Sequence, residues 1–532
     1  MKKLLIVFIT IFLANFAVPR LAQATSYFIS PTGNDNNSGT TTQDPWLTLS
    51  RANAVALQGG DAIYLEAAQT FNGMLYFDAN DQANGTPIVV SSYGNGRATI
   101  NGGTYIGLQA YNTAGLDISN LNFVGSGLPA NTQAGINFLI DLPNDTKLNY
   151  VHIDNVSITG FKDGIGFWSN QGRSGYRDIR ITNVTVTNGG NSGIYTHSPA
   201  SYGFENVYIG HTQVSNIVGT STKANGGSGN GIVLGMVDGA TVERSVVHDN
   251  GMTGGANVGI WTYNSRNVTI QYNESYNNKT ATAVDGGGFD LDGGVVDSVM
   301  QYNYSHDNDG AGFGLFQYAG APTYNNNTLR YNISQNDARK NNYGGITLWG
   351  ANSTSLVQNS KIYGNTVFAS KPVGTSRAFM VSGSYVANIS VYNNIFITTN
   401  GQQLISSPAI STMNFYGNNY WSSGAGFSIG WGKTNANSLA NWRTASGKEL
   451  LNGTPTGWQV DPQVTSGGGG TTIGNADLLT TLTAYKLLAT SPLINQGLDL
   501  QTLFGVNPGP HDFYEIVLPQ GPALDVGANE YQ

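Results

Sequence analysis

G-I-W-T-Y at 259–263 and G-F-D-L-D at 288–292 are two copies of one pattern: glycine, apolar, variable, apolar or Thr, variable. Earlier copies are G-I-G-F-W at 164–168, G-I-Y-T-H at 193–197 and G-I-V-L-G at 231–235. Later ones are G-F-G-L-F at 312–316, G-I-T-L-W at 345–349 and the weaker A-F-M-V-S at 378–382. Successive starts are separated by 29, 38, 28, 29, 24, 33 and 33 residues. Between the copies run short alternating strands ending in polar residues, such as V-T-I-Q-Y-N-E-S-Y-N-N at 268–278 and S-V-M-Q-Y-N-Y-S-H-D-N at 298–308. Period-two alternation is the signature of a half-buried strand. About thirty residues holding two or three such strands, repeated without helical segments, form one coil of a parallel β-helix. The fold expected is therefore all-β, a single solenoid whose stacked coils share one apolar core.

The remaining sequence fits around that solenoid. Trp46, Leu49, Ala52, Val55 and Ala56 have helical spacing, which predicts a helical cap at the N-terminal end of the stack. Residues 25–100 are read as this cap and the first coils, 101–420 as the regular coils, and 421–532 as the last coils and an irregular tail. In that tail a helix is expected around Ala476–Leu488. Ser466–Gly470 reads as a flexible Gly-rich stretch. Asn250, Asn278 and Asn308 recur near strand ends and should stack as a ladder whose amides satisfy turn backbone.

Lys2 and Lys3, an apolar run from Leu4 to Val18 and Ala22-Gln23-Ala24 have the layout of a secretory signal over residues 1–24, with cleavage near Ala24 and a secreted mature chain. No later stretch is apolar enough to span a bilayer. There is no cysteine, so neither a disulfide framework nor a thiolate metal site is available. The net charge of −8 and the 11% content of charged residues leave no basic footprint for nucleic acid. A monomer is expected.

Alternation turns the repeat into a map of one face. In G-I-x-T-x the second and fourth residues point inward, so the third and fifth point outward. Stacking brings the outward residues into two columns. They contain Trp168, Tyr195, His197, Trp261, Tyr263, Phe316 and Trp349, with Asp290 and Asp292 among them. Aromatic rings stack on the C–H faces of sugars, so a row of them suits a linear glycan. Long loops folding over these aromatics as ordinary packing is the bland alternative.

Asp290 and Asp292 are i and i+2 on one strand, which separates their Cα atoms by roughly 6.5–7 Å on the same side. Asp285 lies just before them in a Gly-rich turn. Carboxyl groups roughly 6.5–9.5 Å apart suit inverting glycoside hydrolysis, one giving a proton and one activating water. Repulsion within the cluster would raise one pKa and create the acid. The same three acids could instead be oxygen ligands for calcium, or merely solvated. His197 lies about 14 Å from Asp292 by coil spacing, suited to substrate contact. His306 and Asp309, in the turn after the acidic strand, are further candidates for substrate contact.

Y-F-I-S-P-T-G-N-D at 27–35, the Gly-rich coils and S-P-L-I-N-Q-G at 491–497 resemble secreted bacterial right-handed parallel β-helix proteins of the pectate-lyase-like superfamily. D-G-G-G-F-D-L-D-G-G at 285–294 and Q-Y-N-Y-S-H-D-N-D-G at 301–310 resemble a subgroup of unassigned activity. The superfamily includes polysaccharide lyases, polygalacturonase-type hydrolases and sugar epimerases. The chain lacks the Gly-His-Gly and Arg-x-Lys of the hydrolases and the Asp-Pro-His of the epimerases. The resemblance therefore implies fold and a polysaccharide substrate, and leaves three readings open. These are a hydrolase using Asp290 and Asp292 with help from Asp285, a lyase with calcium on Asp285, Asp290 and Asp292, and a glycan-binding surface protein without catalysis.

Overall fold

A computed structural model describes residues 24–220, 227–370, 376–424 and 426–532. The expected signal segment up to residue 23 and the short stretch 221–226 lie outside the described residues.

The repeat does form coils. Its copies are successive rungs of one ladder: Asp163–Ser169, Ser192–His197, Asn230–Gly235, Val258–Tyr263, Gly287–Leu291, Phe313–Gln317, Ile346–Gly350 and Arg377–Ser382. Each pairs in parallel with the next. The strands between the copies build a second set of parallel ladders, in which Arg266–Gln271 follows Val237–Glu243 and Tyr304–His306 follows Glu274–Tyr276. Inward residues such as Ile194, Ile232, Ile260, Phe289, Phe313 and Ile346 are no more than 1% exposed and belong to one continuous core. Apolar side chains of consecutive coils thus remove one another from water, which no single coil could do.

The glycine that opens seven of the eight copies is a packing requirement. A Cβ at Gly259 would lie 2.2 Å from Ser275 Oγ, and one at Gly288 would lie 2.3 Å from Ser305 Oγ. The neighbouring strand approaches too closely there for any side chain.

Two amide ladders fasten the coil corners. Asn250 donates to Asn278, Asn278 to Asn308, and Asn308 to Asp337, at 3.0, 2.9 and 2.8 Å. A second runs from Asn273 through Asn303, Asn332, Asn365, Asn394 and Asn418 to Glu449. Each amide accepts from one coil and donates to the next, so a ladder has a direction. Its last NH2 needs a group with only acceptors, and a buried carboxylate closes both. Burial raises the Asp337 carboxyl to about 6 despite these donors.

The ends differ from the sequence expectation in detail. The N-terminal helix is a single turn, Leu49–Ala52, with Thr48 as its N-cap and Trp46 buried beside it. The helix expected near 476–488 is two 3₁₀ segments, Ala476–Thr481 and Thr483–Tyr485. Ser466–Gly470 is anchored: Gly470 N–H donates to Gln335 Oε1 and its C=O accepts from Gln335 Nε2. The tail docks along the coils because Leu479, Leu482, Tyr485 and Phe513 bury apolar area against Tyr304, Ile333 and Ile395. Among the described residues no helix is long and apolar enough to cross a membrane.

Candidate active site

The outward columns read from the sequence are present in the observed register. Gly166 pairs with Tyr195, Tyr195 with Val233, Val233 with Trp261, Trp261 with Asp290, Asp290 with Gly314 and Gly314 with Thr347. In the second column Trp168 pairs with His197, Gly235 with Tyr263 and Phe316 with Trp349. Glycines in the columns make room for large neighbours. A Cβ at Gly235 would meet the Tyr263 ring at 2.4 Å, and one at Gly166 would meet the Tyr195 hydroxyl at 2.6 Å.

These side chains line a cleft of about 1240 Å³. Trp168, Tyr195, His197, Trp261, Tyr263, Phe316 and Trp349 all border it, as do Asp285, Asp290 and Asp292. Trp168 and Trp349 are each 37% exposed, so loops do not bury the column's two ends. Between them the aromatics hold one another in place. The Trp168 and His197 rings are 4.5 Å apart. His197 Nδ1 and the Tyr263 hydroxyl form a 2.9 Å hydrogen bond across Gly235. Trp261 Nε1 donates to Asn230 Oδ1 at 3.0 Å. Burial holds His197 below its ordinary pKa, which favours the neutral imidazole.

The acids occupy one end of the strand Gly287–Leu291 and the turns beside it. Asp290 is 3% exposed, and its Oδ1 has no hydrogen-bond partner among the described residues. Burial, then the charges of Asp292 and Asp285, push its carboxyl well above the usual range. Asp292 and Asp285 are half-buried and keep access to the cleft. Burial raises Asp292 to about 7, with Asp285 adding to the rise and the Gly293 N–H, 2.7 Å away, opposing it. Burial raises Asp285 to about 6, opposed by the Tyr343 hydroxyl.

Tyr343 carries no repeat signature and was not legible as a site residue. The only hint was the 33-residue interval between Gly312 and Gly345, long enough for an inserted loop. Its hydroxyl accepts from Asp285 N–H at 3.2 Å and donates to Asp285 Oδ1 at 3.4 Å. Tyr318, Asn230 and the Lys162–Asp163 pair also line the cleft. Lys162 Nζ lies 3.8 Å from Asp163 Oδ2.

His306 and Asp309 are placed elsewhere. His306 sits on the other ladder, 2% exposed, stacked between Tyr276 and Tyr304. It bonds Glu274 and Asp307, and Glu274 in turn accepts the N–H groups of Ile473 and Gly474 in the docked tail. Asp309 accepts from Thr280 N–H at 3.2 Å and lies 3.8 Å from Lys279 Nζ, supporting the turn that leads to Asp285. Neither borders the cleft. Both fill a corner of the coil and not the cleft.

Among the described residues no three His, Asp or Glu side chains converge as a metal-holding group.

A family described as "Right handed beta helix region" matches residues 163–333. With the parallel ladders, this gives the chain a right-handed parallel β-helix fold. Among curated proteins it is similar to a lacto-N-biosidase of Bifidobacterium longum, 24% identical over 482 residues. That match covers 71% of the chain and 29% of the relative, so the chain spans under a third of that protein. Among solved structures it is similar to a GH136 lacto-N-biosidase from Eubacterium ramulus, with a TM-score of 0.51 and 18% identity over 69% of this chain and 68% of that one. It is also similar to pectate lyase Pel9A, with a TM-score of 0.40 and 16% identity over 96% and 98% of the two chains.

Proposed function

We propose that the chain is a glycoside hydrolase that takes a neutral glycan along the aromatic column and cleaves it between Asp285 and Asp292. One observation carries this reading: two accessible carboxyls, raised to about 6 and about 7, sit in an aromatic-lined cleft. Near neutral pH such a pair holds roughly one proton between its members. The protonated member can give its proton to the glycosidic oxygen as the C1–O bond breaks. The ionised member can then stabilise the sugar cation or take a proton from the incoming water. The net change is addition of water across one glycosidic bond.

Burial shifts the weight within the acidic triplet. The sequence favoured Asp290 with Asp292, but a 3% exposed carboxyl is poorly placed to touch a glycosidic oxygen. Asp285 and Asp292 have the access, and Asp290 is the buried neighbour between them. Among the described lining residues Lys162 is paired with Asp163, and the Asp285–Asp292 pair keeps about one negative charge. A uronate polymer would meet net repulsion there.

Similarity to lacto-N-biosidases makes their kind of substrate the first to assay. Export, read from residues 1–24, would place the glycan outside the cytoplasm. The test is a panel of neutral and uronic oligosaccharides, followed by reducing ends and ultraviolet absorbance. New reducing ends without absorbance support hydrolysis. Absorbance indicates elimination. Binding without turnover returns the glycan-binding reading.

A further inference from the structure

A side chain from a later coil hydrogen-bonds the carboxyl of Asp285. Tyr343 reaches it from the segment before Ile346–Gly350, 58 residues away in sequence. The contact is two-sided: the hydroxyl oxygen accepts Asp285 N–H at 3.2 Å, and the hydroxyl proton points to Oδ1 at 3.4 Å. One hydroxyl therefore fixes both the backbone and the side chain of the same residue. The rest of the segment grips the same turn. Asn341 Nδ2 donates to the C=O of Asp285 at 3.0 Å and to that of Thr282 at 3.4 Å, while Lys340 Nζ donates to the C=O of Thr280. The Tyr343 ring borders the cleft, 6.1 Å from the Phe316 ring.

The turn needs such support. Asp285 itself has a positive φ of 54°, and Gly286 follows at 82°. A non-glycine residue in the left-handed region persists when its surroundings over-determine it. Reacting groups must be held within about 0.5 Å of working geometry by neighbours that are themselves fixed.

From this two-sided contact we infer that Tyr343 is a positioning residue for the reaction, holding the Asp285 carboxyl toward the cleft while Asn341 and Lys340 hold the turn beneath it. The inference rests on the reading of Asp285 as one of the two reacting acids. Tyr343 need not touch substrate; it acts through Asp285.

The test is a double-mutant cycle in the full mature chain, with Tyr343→Phe, Asp285→Asn and both together. Kinetics on the oligosaccharide the wild type turns over are read beside thermal melting. Tyr343→Phe keeps the ring and removes the hydroxyl. It should lower kcat about tenfold, leave KM within about twofold, and leave melting close to wild type. In the Asp285→Asn background the same change should lower kcat no further. An equal loss in both backgrounds, a rise in KM alone, or no loss would overturn the positioning role. Full activity of Asp285→Asn by itself would instead remove Asp285 from the reaction, a failure of the functional reading that the single variant reports separately.

Discussion

Gly314 lies directly beside Asp290 on the adjacent rung, and a Cβ there would stand 2.9 Å from Asp290 Oδ1. The carboxyl of Asp290 thus occupies space that any other residue at 314 would fill. The φ of Gly314 is not in the left-handed region, so alanine would cost no backbone strain and would act by crowding alone. Gly314→Ala should displace Asp290 and disturb the acids on either side. A misplacement of about 1 Å costs up to about 100-fold in rate. We expect kcat to fall by about 10- to 100-fold with melting nearly unchanged, measured by steady-state kinetics and calorimetry.

The aromatic column predicts a dependence on chain length. Trp168 lies four rungs before the acidic strand and Trp349 two rungs after it, about 19 Å and about 10 Å by strand spacing. Each ring should contribute about 1–2 kcal/mol to a sugar stacked on it. Trp168→Ala and Trp349→Ala should each raise KM about 5- to 30-fold for a long oligosaccharide. The shortest substrate that is still cut should be unaffected, and kcat should hold. Equal effects on short and long substrates would mean that the rings are packing elements.

The raised carboxyls of Asp285 and Asp292 predict an unusual pH dependence of stability. Asp285 and Asp292 titrate near 6 and near 7 when folded, above the ordinary carboxyl value near 3.8. Between about pH 4 and pH 7 the folded chain therefore holds more protons than the unfolded one. Stability supplied by these protonated acids is present at low pH and is lost as pH rises through 6 and 7. A tenfold change in a carboxyl's proton affinity between the folded and unfolded chain is worth about 1.4 kcal/mol. Asp292→Asn should raise the melting temperature at pH 8 and lose that advantage at pH 4. Melting curves at the two pH values check it, and an advantage that is the same at both would contradict the raised pKa of Asp292.

The longer amide ladder predicts a stability effect without an activity effect. Asn332 is fully buried; its Nδ2 donates to Met300, Arg330 and Asn365, and its Oδ1 accepts from Asn303. Asn332→Ala leaves several of these groups unpaired, at a cost of about 2–4 kcal/mol. Denaturant titration should show the loss. Turnover below the melting transition should stay near wild type, because Asn332 does not border the cleft.

Much of this architecture was legible because solenoid geometry is nearly one-dimensional. Once G-I-x-T-x is placed on a strand, alternation and stacking force Tyr195, Trp261 and Asp290 into one column, and the observed register has them there. The Asn250–Asn278–Asn308 ladder followed from the same logic. What period and spacing do not carry is the path of loops. Tyr343 reaches Asp285 across an irregular segment, and the tail comes back over His306 and Glu274 through contacts 199 residues or more apart. Whether a corner residue such as His306 faces solvent or lies under the tail depends on that path. Burial within the acidic triplet was equally hidden. Alternation puts Asp290 and Asp292 on one face, but only the packing around Gly314 and the turn at 285 sets how deep each lies.

The most direct measurement is mass spectrometry of the products formed in H2¹⁸O, with wild type, Asp285→Asn and Asp292→Asn compared on the same neutral oligosaccharide. The account predicts one ¹⁸O at each new reducing end from the wild type, and at least about a thousandfold loss of rate in both variants. Products lighter by one water, or turnover that persists in both variants, would contradict hydrolysis by this pair.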